Sequence, residues 1–122
     1  MIISVNHVAI CIPENSDTEA RAFYGDVLGL QEIPKPDVLQ KNGGIWFELT
    51  AGLQLHLTVQ KGELGGNTKA HVAYEIHSLV EMKQVLQAAN IFYTPGEKIP
   101  GYERINIKDP FGNRIEFMER SN

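Results

Sequence analysis

The chain has 122 residues, 43% hydrophobic and 21% charged, with a formal net charge of −4; a length suited to one domain that buries roughly two-thirds of its unfolded surface. Acidic and basic residues are mixed, with no basic stripe to neutralise phosphates. No apolar run is long enough for a bilayer, and the N-terminus has neither a basic region nor a small-residue cleavage site. Nucleic-acid and membrane partners are therefore excluded. One cysteine, Cys11, precludes an internal disulfide and suits a reducing compartment, so a soluble cytoplasmic domain is expected.

Residues 3–12 read as a strand ended by Pro13. In "SDTEARAFYGDVLGL", Ser16 and Glu19 have capping-box spacing. Ala20, Phe23, Tyr24, Val27 and Leu28 follow the period of a one-faced helix, and Gly29 stops it. A short strand is predicted over 30–33, before Pro34 and Pro36. "GGIWFELTAGLQLHLTV" predicts a hairpin, with strands at 44–49 and 53–59 and a turn at Ala51 and Gly52. The pattern then restarts. Residues 70–76 predict a strand, and Ser78 and Glu81 form a second capping box. The helix that follows buries Leu79, Met82, Leu86 and Ala89, and a short strand at 91–94 ends before Pro95. A closing hairpin, "GYERINIKDPFGNRIEFME", turns at Asp109-Pro110-Phe111-Gly112.

This is an internal repeat of a β-α-β-β-β unit, with modules at about 1–62 and 68–122. His-Val-Ala at 7–9 recurs at 71–73. The hairpins align without a gap, Ile45 over Ile105, Phe47 over Ile107, Gly52 over Gly112, His56 over Glu116 and Leu57 over Phe117. The fold class expected is α+β.

Strand side chains alternate between faces. Val8, Ile10 and Ile12 share the packing face of the first strand, leaving His7, Ala9 and Cys11 opposite. Leu53, Leu55, Leu57 and Val59 pack in the hairpin, leaving Gln54, His56 and Thr58. The same parity leaves His71, Ala73 and Glu75, and then Arg114, Glu116 and Met118, away from the helices. Three imidazoles and a carboxylate, His7, His56, His71 and Glu116, are the ligand types of a divalent site for Zn, Ni, Co, Mn or Fe(II). Glu116 is also the candidate catalytic base. His77, beside the Ser78 cap, reads as a surface residue, and Cys11 as a small buried hydrophobe.

The paired units, with "FYGDVLGL", "GLQLHL", "HVAYEI" and above all "DPFGNRIEFME", resemble the vicinal oxygen chelate superfamily. That group holds glyoxalase I, fosfomycin-modifying enzymes, extradiol dioxygenases and bleomycin-binding proteins. The resemblance covers nearly the whole chain. It implies two modules whose sheets form an open, curved, barrel-like surface around a divalent-metal cleft, usually within a homodimer. Carried over by position, His7, His71 and Glu116 match a 2-His-1-carboxylate ligand set. His56 matches a position that is a second glutamate in glyoxalase I, which leaves Glu116 as the one carboxylate for proton transfer.

The implied function is a metal-dependent enzyme acting on a small oxygen-chelating substrate, with a glyoxalase I-like lyase or isomerase as the leading reading. A fosfomycin-type thiol transferase, an extradiol-type dioxygenase and a non-catalytic antibiotic-binding protein are the alternatives. Parity adds Trp46 and Asn106 to the cleft as substrate contacts. Tyr102 and Arg104, in "PGYERI", are candidate contacts for an anionic group, and Glu75 is a candidate partner for a histidine.

Overall fold

Leu55 faces Val8 in a parallel ladder joining the first and last strands of the N-terminal half, and Ile115 faces Val72 in the corresponding ladder of the C-terminal half. A computed structural model describes residues 1–50, 52–65 and 68–121, in two compact units, Met1–Gly66 and Asn67–Asn122. The first contains β1 (His7–Ile12), α1 (Asp17–Ala20), a π-helical continuation (Arg21–Val27), β2 (Gln31–Ile33), α2 (Asp37–Gln40), β3 (Ile45–Glu48) and β4 (Gln54–Val59). Its open sheet has the order β1-β4-β3-β2. The second contains β5 (His71–Glu75), α3 (Leu79–Ala88), β6 (Thr94–Pro95), β7 (Tyr102–Lys108) and β8 (Arg114–Arg120), in the order β5-β8-β7-β6. In both, one parallel pair is followed by two antiparallel pairs. The α+β expectation holds, as two open four-stranded mixed sheets. Among the described residues, no helix is long and apolar enough to cross a membrane.

The packing faces are those that alternation predicts. Ile12, Ile45, Phe47, Leu55 and Leu57 are buried in the first unit, and Ile105, Ile107, Ile115 and Phe117 in the second. Withdrawing each from water contributes about 1.5–3 kcal/mol.

Several expectations need correction. β1 begins at His7, not at residue 3, because its ladder with β4 starts at the His7–Gln54 pair, and among the described residues none pairs with residues 3–6. The helix after Pro13 is α-helical for one turn and then widens. Leu28 N–H donates to the Phe23 carbonyl at 2.9 Å, a five-residue step. The wider turn lets the consecutive residues Phe23 and Tyr24 both be buried, their rings edge to face at 4.8 Å. Ser16 does not cap this helix. Its hydroxyl donates to the Pro13 carbonyl at 2.6 Å, so the first capping box is absent. Ser78 does cap α3, accepting from Glu81 N–H at 3.1 Å. Ala89, expected on the buried face of α3, is exposed, because α3 ends at Ala88. β6 is shifted to Thr94 and Pro95, where an edge position tolerates a proline. The one-turn α2 had no counterpart in the sequence reading. Ala51 of the predicted turn lies outside the described residues.

The β7–β8 turn forms as its sequence demands. The Asp109 carboxylate accepts from Phe111 N–H at 2.9 Å, Asn113 N–H at 2.8 Å and the Asn113 amide at 2.9 Å. Gly112 takes a φ of 92°, which L-residues rarely adopt.

Leu55 is fully buried in β4, whereas Thr58 on the same strand is exposed. Leu55→Ala is expected to cost about 2–5 kcal/mol, and Thr58→Ala about 0.5 kcal/mol or less, in urea unfolding free energies.

Candidate functional site

In the first unit the face opposite the core is organised around His56. β4 lies between β1 and β3. Trp46 is the direct cross-strand partner of His56, and Ala9 is its partner on the other side. Because Ala9 presents only a methyl group, His7, two residues upstream, leans across the diagonal. His56 is thus the middle of a three-ring stack, with its centroid 3.7 Å from Trp46 at 2° between planes and 4.0 Å from His7 at 16°.

The imidazole hydrogen bonds set the donor atoms. His56 Nε2–H donates to Gln54 Oε1 at 2.8 Å. His7 Nδ1–H donates to Asn6 Oδ1 at 2.9 Å, leaving Nε2 as the lone-pair atom of that ring. Burial, and then the neighbouring His7, hold His56 below the ordinary imidazole value of 6.5, so the middle ring is neutral near pH 7. A ligand imidazole binds in its own plane at ~2.0–2.1 Å. Two planes stacked this closely to parallel do not meet within that reach. The structure therefore joins His7 and His56 as stacking partners and does not converge them on one ion.

The second unit uses the same register differently. Glu116 lies across from Ala73 on β5 and from Asn106 on β7. Ala73 again leaves the diagonal open, and His71 Nε2 stands 3.1 Å from Glu116 Oε1. His71 Nδ1–H donates to the Lys69 carbonyl at 2.9 Å. Both nitrogens of this ring thus face acceptors. Two donor atoms bound to one metal at ~2.1 Å and near a right angle stand ~3 Å apart, so the pair has the spacing of two adjacent ligands. Among the described residues, no group of three or more His, Cys, Asp or Glu side chains is assembled to hold a metal ion. The fit is to His71 and Glu116 as a pair within the second unit.

Glu116 is 5% exposed, and its other oxygen, Oε2, accepts from Arg104 Nη1 at 3.2 Å. Arg104, expected to contact an anionic substrate, is instead committed within the protein. Its Nε and Nη2 donate to the Glu97 carbonyl at 3.1 and 2.6 Å. Tyr102 pairs with Arg120 across the ladder and carries that guanidinium 5.2 Å over its ring. Glu75, expected beside a histidine, instead accepts from Arg120 at 3.2 Å. Asn106 is half-buried opposite Glu116. His77 is exposed and Cys11 is half-buried.

The sequence reading missed Asn6, Gln54, Gly96 and Glu97 as orienting residues, and the role of the two alanines. The signal for the alanines was present, since each follows a histidine by two in a repeated His-Val-Ala. Beside Trp46 and His56 the first unit also carries an open cavity of about 860 Å³, whose walls include Leu39, Lys41, Thr58 and Lys61.

Trp46 is the single tryptophan, so its emission reports on the stack. Because folding lowers the His56 value, the unfolded chain binds that proton more tightly. Stability from this site is complete above about 6.5 and is lost as pH falls below it toward the folded value. The expected result is a Trp46 emission change below pH 6.5, with a parallel fall in unfolding free energy. Both should flatten in His56→Gln, and an unchanged slope in that variant would remove His56 as the titrating group.

A family model described as glyoxalase superfamily protein matches residues 4–122. No curated protein sequence matches. Among solved structures, a protein from Bacillus anthracis described as of the glyoxalase family is 38% identical, with a TM-score of 0.91, over 99% of this chain and 98% of that one. An antibiotic binding protein from a Streptomyces species shares the fold at 18% identity and a TM-score of 0.78, over 98% of each chain. A lactoylglutathione lyase from Agrobacterium tumefaciens shares it at 21% identity and a TM-score of 0.70, over 95% of this chain and 92% of that one.

Proposed function

The chain belongs to the glyoxalase superfamily, and from that premise we propose that it is a cytoplasmic, homodimeric, metal-dependent enzyme acting on a small oxygen-chelating substrate. The ligand donors in this reading are His71 and Glu116 of the second unit. A divalent ion of the Zn, Ni, Co, Mn or Fe(II) class, when bound, stabilises negative charge on the substrate oxygens. The observation that carries the proposal is the His71 Nε2 to Glu116 Oε1 approach of 3.1 Å, with His71 Nδ1 turned to a carbonyl.

A glyoxalase I-like lyase or isomerase reaction follows from having one buried carboxylate on the ligand face. Glu116 Oε1, the oxygen not held by Arg104, takes a proton from the carbon beside the substrate carbonyl and returns it to the neighbouring carbon. The Nδ1 hydrogen bond holds the His71 ring in the donor tautomer. His56, expected as a fourth ligand, is instead the neutral centre of a stack between Trp46 and His7. Asn106, across from Glu116, presents an amide to the substrate oxygens.

One observation favours a second reading, an antibiotic-binding protein without catalysis. The Trp46–His56–His7 stack beside an open cavity offers a surface for a planar ligand that needs no metal.

Metal analysis of protein purified without chelator separates the two. The enzyme reading expects near-stoichiometric divalent metal per chain, and a loss of affinity of at least about 100-fold in Glu116→Ala. Metal-free parent protein that still binds planar antibiotics would establish the second reading instead. With metal present, turnover of 2-oxoaldehyde–thiol adducts, of fosfomycin with thiols, and of catechols distinguishes the reactions, and the first is the expected substrate.

A further inference from the structure

We infer that the ligand of the first unit is a planar anion, an aromatic carboxylate, with its ring against Trp46 and its charge at Lys41 and Lys61. This deepens the binding reading above and rests on it. The cavity that carries it is lined wholly by residues of Met1–Gly66. At about 860 Å³ it falls within the ~300–1,000 Å³ of small-molecule sites, enough for a few fused rings. Both faces of the His56 ring are already covered, by Trp46 at 3.7 Å and by His7 at 4.0 Å. Trp46 is the outer ring that lines the cavity. It is half-buried and keeps part of its indole open there, so the indole is the aromatic surface a flat ligand meets.

Another part of the wall is the segment 35–43, which carries α2. This helix buries none of its residues, and Leu39 stands exposed at the cavity. An apolar ring lying there removes from water a surface that the protein alone leaves wet. The segment is fixed at its ends all the same. Lys35 Nζ donates to the Gly43 and Gly44 carbonyls, and Gly44 lies so close to β4 that a Cβ would stand 2.2 Å from the Leu57 carbonyl oxygen. The sign of the ligand follows from the charges. Lys35, Lys41 and Lys61 line the cavity against two carboxylates, Glu14 and Asp17, although the chain as a whole is net negative. Asp17 is also within electrostatic reach of Arg21. Lys35 is held by the loop, whereas Lys41 and Lys61 form no ion pair among the described residues. A cavity with an excess of one sign concentrates ligands of the other. Two ammonium groups on flexible stems suit a carboxylate at the edge of a ring.

Three probes separate shape from charge: 2-naphthoate is flat and anionic, 2-naphthamide flat and neutral, and decahydro-2-naphthoate anionic but not flat. Binding to the full chain is followed by calorimetry, with the emission of Trp46, the single tryptophan, reporting on the site. 2-Naphthoate is expected to bind at a single site about tenfold tighter than either other probe, equally with and without a chelator. Lys41→Gln combined with Lys61→Gln should weaken it about tenfold and leave 2-naphthamide unchanged. Lys83→Gln combined with Lys98→Gln, which removes the same charge from the second unit, should change neither. Lys41 and Lys61 are exposed, and thermal unfolding confirms that the variants fold. Weakening of 2-naphthoate binding to the parent at higher ionic strength reads the same charges without any variant. Equal affinity for 2-naphthoate and 2-naphthamide would overturn the anion assignment while the planar-ligand reading stands. A saturated acid that binds as tightly as 2-naphthoate would overturn the part given to Trp46. Binding of 2-naphthoate that chelator abolishes would put the carboxylate on a metal and overturn the lysine site. A parent that binds neither flat probe would overturn both this inference and the reading it rests on.

Discussion

Ala9 lies directly across the parallel ladder from His56, and Ala73 directly across from Glu116. Neighbouring strands are ~4.8 Å apart, so the side chain at that register position decides what can approach the hairpin residue from the first strand. A methyl group leaves the diagonal open, and the histidine two residues earlier fills it. His7 reaches the ring of His56 in one unit, and His71 reaches the carboxylate of Glu116 in the other. A β-branched residue at either alanine would occupy the space through which the histidine leans. The third strand completes each face from the other side, with Trp46 on His56 and Arg104 on Glu116. His-x-Ala is therefore one device, in which the alanine is as necessary as the histidine.

The two units meet the cost of burying a polar side chain at this position in different ways. An unpaired buried carboxylate costs several kcal/mol. Glu116, 5% exposed, has a donor for Oε2 in Arg104 and the His71 ring against Oε1. His56, 7% exposed, avoids the cost by staying neutral. Burial and His7 lower its proton affinity, Gln54 satisfies its Nε2–H, and stacking on both faces adds about 0.5–1.5 kcal/mol per ring pair. The charged chemistry is thus concentrated in the second unit and the flat, neutral surface in the first.

Much of this was legible before the structure. Period-two alternation alone placed His7, His56, His71 and Glu116 opposite the core, because a strand offers a side chain only two directions. The repeat fixed which positions correspond. Ring orientation was not legible, since the same parity serves an imidazole that points at a metal and one that lies flat on a neighbour. Which it does depends on Gln54 and Trp46 across the ladders. Arg104 was misassigned for a related reason. An arginine on the right face at the right distance from a carboxylate is indistinguishable in sequence from one reaching for substrate, and its commitment is decided by the Glu97 carbonyl, a backbone atom. The π-helical widening after Ala20 was hidden because an i, i+3, i+4 pattern of apolar residues is satisfied by either helix over so short a span.

The hairpin alignment that sets His56 over Glu116 also sets Gly44 over Arg104, and this pairing explains why the two units diverge together. A Cβ at Gly44 would lie 2.2 Å from the Leu57 carbonyl oxygen, so no side chain fits there without moving β4. Lys35, the nearby cation, is already spent on the Gly43 and Gly44 carbonyls. Gly44 therefore supplies no guanidinium at the position that Arg104 occupies in the second unit. The histidine at position 56 instead gains two aromatic contacts, with Trp46 and His7. The second unit has the reverse arrangement, in which the open slot at Gly96 admits Arg104 and makes a buried carboxylate tenable. The first unit thus combines His56 with Gly44, and the second combines Glu116 with Arg104. Glu116 is held by Arg104 through Oε2, and His56 is kept neutral by burial and by the neighbouring His7.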